Sequence, residues 1–215
     1  MTTFQALRDR MVDEQLVRRG ITDRRVLEAF RTVPRHEFVP PESIVRAYDD
    51  SPLPIGDGQT ISQPYVVAIT VAKLGLQGHE RVLEIGTGSG YAAAILGELV
   101  CEVVTVERIE HLATTAAARF ARLGLTNIHV HHADGSLGWA PAAPYEAICV
   151  AAAAPKPPPA LLAQLAIGGR LVLPAGALDQ QTLLQLTRTD QGYLEHELGA
   201  VYFVPLVGEA GWPET

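Results

Sequence analysis

The chain has 215 residues, 47% of them hydrophobic, and a formal charge of −7 at pH 7, which is enough apolar material for one large domain with a continuous core. Its Lys and Arg residues are scattered rather than gathered on a basic face, so a nucleic-acid partner is not expected. Two cysteines, Cys101 and Cys149, are too few for a disulfide framework and lack metal-ligand spacing, and neither a signal-peptide apolar region nor a bilayer-length apolar run occurs, so a cytoplasmic, metal-free protein without a membrane partner is expected.

In chain order, Leu7, Met11, Val12 and Leu16 share a helical face over Phe4 to Arg18, and Gly20 ends it. Thr22 is placed to cap a second helix, Asp23 to Thr32, which stops before Pro34. From Pro34 to Pro64 the text turns to loop chemistry, dense in proline, glycine and aspartate. A helix is predicted over Pro64 to Leu74, with proline in its first turn. Strands are then predicted at Arg81 to Ile85, Glu102 to Val106, Ile128 to His132, Ala147 to Ala151 and Arg170 to Pro174. Helices separate them near Tyr91 to Leu99, Ile109 to Leu123 and Pro158 to Ala166. Two further strand-like stretches, Gln181 to Thr187 and Val201 to Pro205, flank a turn around Asp190 to Gly192 and are expected at one edge, antiparallel. The sum is a single α/β domain, 1–215, built on a doubly wound, Rossmann-like, mostly parallel sheet. Residues 1–79 form an N-terminal helical extension with a site loop, 80–175 a nucleoside-binding core, and 176–215 the antiparallel strands.

Ligand chemistry concentrates at the junction Val82 to Tyr91. Gly86, Gly88 and Gly90 let the backbone turn sharply and bring N–H groups, with Thr87 and Ser89 between them, close to a small molecule at a helix start. A dinucleotide loop would carry its third glycine where Tyr91 stands. The pattern present, Glu84-x-Gly-x-Gly-x-Gly, resembles the S-adenosylmethionine loop of class I methyltransferases. One strand later, Glu107 is placed to accept both hydroxyls of a ribose, or, read locally, to pair with Arg108. Asp134-Gly135 after the third core strand could accept from an adenine amino group and face a ring nitrogen, or simply end the strand in a turn. His129, His131 and His132 alternate along a strand, point to different faces and lack a carboxylate that would complete a metal set. The loop Pro52 to Pro64 carries hydroxyls, an amide and glycines; loops of this kind line sites, although Ser62 read locally caps the helix that follows and Gln59 is a solvated turn residue.

Four stretches together carry a resemblance that runs from end to end. They are Arg19-Gly20-Ile21-Thr22-Asp23 with Val33-Pro34-Arg35-His36-Glu37-Phe38-Val39-Pro40, then Pro52 to Pro64 with its Gly-Gln-Thr-Ile-Ser-Gln-Pro core, then Val82 to Tyr91, and finally Phe203-Val204-Pro205-Leu206. The chain resembles the protein-L-isoaspartate O-methyltransferase family, in which the glycine loop is the least specific of these marks and the Pro52 to Pro64 segment the most. The resemblance implies a cytosolic repair enzyme that uses S-adenosylmethionine, releases S-adenosylhomocysteine, and methylates the α-carboxylate of L-isoaspartyl, and often D-aspartyl, residues of damaged proteins, as a monomer. It implies Ser62 as the catalytic residue. The donor would be held by Gln59, Thr60, Ser62, Glu84, Gly86, Thr87, Gly88, Ser89, Glu107, Arg108, Asp134 and Gly135, and the peptide by Ile61, Ser62, Val204, Pro205 and Leu206. Asp57 stands where the family commonly has histidine, Ala133 replaces a frequent glycine, and Ala151 a frequent glycine or small hydroxyl residue. Two other readings remain: a class I methyltransferase acting on RNA or a small molecule, which would keep the donor half and change the Pro52 to Pro64 loop, and a non-catalytic sensor of damaged peptides.

Overall fold

The computed structural model describes residues 3–214. Its first layer is helical: α1 (Phe4–Met11) widens into a π-helical turn at Val12–Leu16 and tightens at Val17–Arg19 before Gly20, at φ 89°, ends it. The cap of α2 (Arg24–Thr32) is Asp23 rather than Thr22: its carboxylate accepts from the N–H groups of Arg25 (2.9 Å) and Val26 (3.3 Å). The stretch expected to be irregular holds two 3-10 turns, Arg35–Phe38 and Pro41–Arg46, and then a small hairpin of β1 (Leu53–Gly56) and β2 (Gln59–Ile61). Asp57 sits at the hairpin tip with φ 51°, between two glycines that share the left-handed region. α3 (Pro64–Leu74) begins on Pro64 and ends at Gly75.

The core follows as β3 (Arg81–Ile85), α4 (Tyr91–Gly97), β4 (Glu102–Glu107), α5 (Glu110–Leu123), β5 (Ile128–His132), β6 (Tyr145–Val150), α6 (Pro159–Gln164), β7 (Leu165–Ala177), β8 (Gln180–Thr189) and β9 (Gly192–Val201). Seven strands form one sheet in the order β5-β4-β3-β6-β7-β8-β9, parallel from β5 to β7 and antiparallel from β7 to β9. Chain direction across the sheet reverses between β3 and β6, so the loops leaving these neighbours diverge and open a crevice at their carboxyl ends. The α3, α4 and N-terminal helices cover one face through Val82, Val103, Ala147 and Cys149; α6 and the C-terminal segment cover the other through Leu83, Ile85, Ile148 and Val150. Buried on both faces, β3, β4 and β6 read as nearly continuous apolar runs.

The C-terminal expectation needs one correction. The strand after the turn is Gly192–Val201, and residues 202–206 leave the sheet edge instead of forming it. Gln181 explains the departure: its buried side-chain amide pairs with the backbone of Phe203 in both directions, at 2.7 and 3.0 Å. Val204 and Leu206 then pair with Ala153, just past β6, which carries this segment over the crevice. Among the described residues no helix is long and apolar enough to cross a membrane.

Candidate active site

A cavity of about 270 Å³ lies at the crevice, walled by the glycine loop, the carboxyl end of β4, the β2 to α3 connection and the returning C-terminal segment. Gln59, Thr60, Ile61, Ser62, Gly86, Thr87, Gly88, Ser89, Glu107, Arg108, Gly135, Val204, Pro205 and Leu206 all line it. Residues from five separate stretches of sequence are thus brought to one space. Ala151, noted from sequence only as a departure from the family pattern, lines it too, as do Ile109 and Val207, which were not singled out. An apolar residue directly after Glu107-Arg108 was a usable signal for Ile109; nothing local marked Val207, which arrives only through the fold.

The glycine loop is shaped by contacts that exclude larger residues. Gly90 has φ 87°, and a Cβ there would stand 2.6 Å from the Phe120 ring of α5. A Cβ on Gly135 would likewise come within 2.6 Å of Ile85. Glu107, only 6% exposed, accepts from the N–H of Gly88 through one oxygen and from the N–H of Ile109 through the other, each at 2.9 Å. Its carboxylate is therefore tied to the glycine loop and held at the cavity wall.

Glu84 and Asp134 do not line this cavity. Asp134 accepts at one oxygen from the N–H (2.9 Å) and hydroxyl (2.7 Å) of Ser136 and at the other from the N–H of Glu209 (2.8 Å). Partial burial works against its ionisation, but these donors, with Arg108 nearby, outweigh it and hold the carboxyl below its ordinary range. It serves the chain as a tether for the C-terminal segment, with Gly135 beside it facing the cavity. The three histidines diverge: His131 stacks on Trp139, His132 faces the Arg108 carbonyl, and His129 turns toward Glu102.

Glu84 lies deeper, 1% exposed, between Thr105 of β4 and Cys149 of β6 in the sheet register. Thr105 donates to one oxygen at 2.5 Å and shares a 2.6 Å bond with Thr87 of the glycine loop; the other oxygen has no protein partner. It faces a small apolar recess shared with Cys149, Thr70 and Ser62. Burial, opposed by the Thr105 bond and reinforced by Glu107, pushes the carboxyl up to about 8. The same burial, with Glu84 beside it, pushes the Cys149 thiol up. A carboxyl neutral in the fold and ionised in the unfolded chain favours folding fully at low pH, and this contribution is lost as pH climbs through about 8. Glu84→Gln is therefore expected to melt progressively higher than the parent as pH rises between about 5 and 8. Parallel pH profiles of melting temperature for the two proteins would contradict this.

A second and larger groove, about 510 Å³, runs along α3 and the end of β9, between Arg19, Gln63 and Tyr65 on one side and Leu198 to Phe203 on the other. It meets the first cavity at Thr60, Ser62, Ala151 and Val204. Ser62 makes no capping bond to α3, whose start is Gln63 without a side-chain cap. A compact crevice thus joins a second groove where two hydroxyl residues, Thr60 and Ser62, line both, an arrangement suited to bringing two ligands together.

Residues 7–211 match the family profile described as protein-L-isoaspartate(D-aspartate) O-methyltransferase. The chain is 56% identical over 214 residues to protein-L-isoaspartate O-methyltransferase 1 of Rhodopseudomonas palustris (strain HaA2), covering 98% of this chain and 87% of that protein. It is also 56% identical to protein-L-isoaspartate O-methyltransferase 2 of Marinobacter nauticus, covering 96% and 95%. Among solved structures it is similar to a protein-L-isoaspartate O-methyltransferase at TM-score 0.86 and 29% identity, covering 95% of this chain and 67% of that one. A second, from Plasmodium falciparum and described as a beta-aspartate methyltransferase in complex with S-adenosyl-L-homocysteine, matches at TM-score 0.80 and 25% identity over 92% of this chain and 96% of that one.

Proposed function

The chain belongs to the protein-L-isoaspartate(D-aspartate) O-methyltransferase family, and from that premise we propose that Ser62, at the meeting of the two cavities, orients the α-carboxylate of an isoaspartyl peptide toward a bound methyl donor. The enzyme is a methyltransferase whose donor is S-adenosylmethionine and whose product is S-adenosylhomocysteine. Its substrates are L-isoaspartyl residues of damaged proteins; D-aspartyl residues are the second class we assign to it.

The crevice residues fit such a donor. The Cβ-less glycine loop, the Glu107 carboxylate at the wall and the Gly135 backbone suit an amino-acid tail, a ribose and an adenine in turn. When bound, S-adenosylmethionine supplies a sulfonium-activated methyl group. The acceptor carboxylate is already ionised near neutral pH, so no strong general base is needed from the protein. The chain's work is alignment and exclusion of water: Ser62 donates to the acceptor, Thr60 and Ile61 close over it, and Val204 to Leu206 shield the junction. Charge is annihilated as the methyl moves, so a drier junction favours the transition state over the separated ions. Alignment of the reacting atoms accounts for several kcal/mol of acceleration, about 7 or more in well-oriented systems.

The shared position of Ser62 in both cavities carries this reading. Methyl incorporation into an isoaspartyl peptide against its aspartyl twin tests it, with the isoaspartyl form alone expected to react. Equal labelling of both, or labelling of RNA or a small metabolite instead, would favour a different class I methyltransferase; donor binding without transfer would indicate a sensor. Ser62→Ala is expected to lower kcat about 30-fold, the loss of one transition-state hydrogen bond of about 2 kcal/mol, with donor affinity unchanged in calorimetry.

We assign the protein to the cytoplasm and to a monomeric, single-domain form. Both cysteines are free, which suits a reducing compartment.

A further inference from the structure

We propose that Arg35 is a positioning residue for methyl transfer: its guanidinium ties the backbone of Ser62 to the N-terminal layer and to the start of α4, and so sets where the acceptor hydroxyl stands relative to the donor loop. The inference rests on the role given to Ser62 above.

Arg35 is 0% exposed, the largest fully buried side chain among the described residues. Nε donates to the Ala47 carbonyl at 2.8 Å, and one terminal nitrogen donates to the Ser62 carbonyl at 2.8 Å. The other has no hydrogen-bond partner, and the guanidinium lies 4.8 Å from the centre of the Tyr91 ring. Tyr91 is the first residue of α4, directly after Gly90 of the donor loop. One planar group therefore touches the N-terminal layer, the acceptor loop and the base of the donor loop.

A cation in this position is expensive to bury. Among the described residues no carboxylate compensates it: the groups that act on it are Tyr91 and Tyr48, and a buried charge without an opposite charge is not repaid for its lost hydration. Burial draws its pKa down to about 10, which leaves it charged at neutral pH. Space filling alone would be served by leucine or methionine. A rigid fork that reaches two carbonyls at once is a property of arginine and not of lysine, whose ammonium is a point donor on a flexible stem. Ser62 needs such a brace because its own hydroxyl caps no helix. A shift of about 1 Å in a reacting group costs on the order of 100-fold in rate.

The test is a double-mutant cycle on kcat for an isoaspartyl peptide, with donor affinity by calorimetry as the gauge of an intact fold. Arg35→Lys is expected to lower kcat about 10-fold and Arg35→Met about 100-fold, with donor Kd within about twofold of the parent. In the Ser62→Ala background the Arg35→Lys penalty should shrink to less than about threefold, because the hydroxyl it positions is gone. An undiminished penalty in that background overturns the proposal, since Arg35 would then act on the fold at large. So does Arg35→Lys with parental kcat, or failure of both Arg35 variants to fold. Parental kcat in Ser62→Ala alone would instead overturn the role of Ser62, so the two readings fail in different experiments.

Discussion

Gly88→Val is expected to raise the dissociation constant for S-adenosylmethionine at least 100-fold. Two effects combine. Gly88 has φ 51°, and forcing a branched residue into the left-handed region costs about 1 to 2 kcal/mol. The new side chain would also meet Ile55 of the β1–β2 hairpin, whose Cδ1 lies 3.5 Å from the position of the added Cβ. Valine methyls would then crowd the space between loop and hairpin, beside the cavity that Gly88 lines and that we assign to the donor. Gly20→Ala separates the two effects: Gly20 has φ 89° and open space around its Cβ position, remote from the crevice. It should lower the melting temperature by a similar strain while leaving donor affinity as in the parent. Calorimetric titration of both variants decides, and donor binding by Gly88→Val within threefold of the parent would remove the glycine loop from the donor site.

Glu107→Ala should weaken the donor about 100-fold, the second largest effect. Its two oxygens accept from Gly88 and Ile109, and bonds to a charged acceptor contribute about 1.5 to 3 kcal/mol each. Alanine therefore removes the ribose acceptor and leaves two N–H groups beside the crevice unpaired at once. Glu107→Gln, which keeps one acceptor oxygen but turns an amide N–H toward a backbone N–H, should fall between alanine and the parent. A titration in which Glu107→Ala binds as the parent does would end the ribose assignment and leave Glu107 as a brace for the loop.

The glycine-loop half of the candidate site was legible because its signals are local. Strand, glycine loop and helix are contiguous from Arg81 to Gly97, and the acid that ends β4 follows at a distance the doubly wound topology dictates. The acceptor half was legible only in part. Ser62 stands in a distinctive run of residues, yet read locally its hydroxyl was the better fit as a cap for α3, and the cap position belongs to Gln63. Asp134 shows another case: an Asp-Gly pair at a strand end was open to a ligand contact or to a simple turn, and in the fold its carboxylate accepts from Ser136 and from Glu209, which lies far along the chain.

By itself the sequence determined the alternation of strands and helices, the parallel core and the glycine loop between β3 and α4, because these follow from periodicity and from glycines close together in the chain. Tertiary structure alone decided that Gln181 ends the edge strand by taking the Phe203 backbone, that Val204 to Leu206 return along Ala153 to roof the crevice, and that Arg35 is buried against Ser62 and Tyr91. Each of these joins residues far apart in sequence through single side chains that satisfy backbone groups. Such pairings depend on which partner the folded chain leaves within reach, and no repeating pattern along the sequence encodes that.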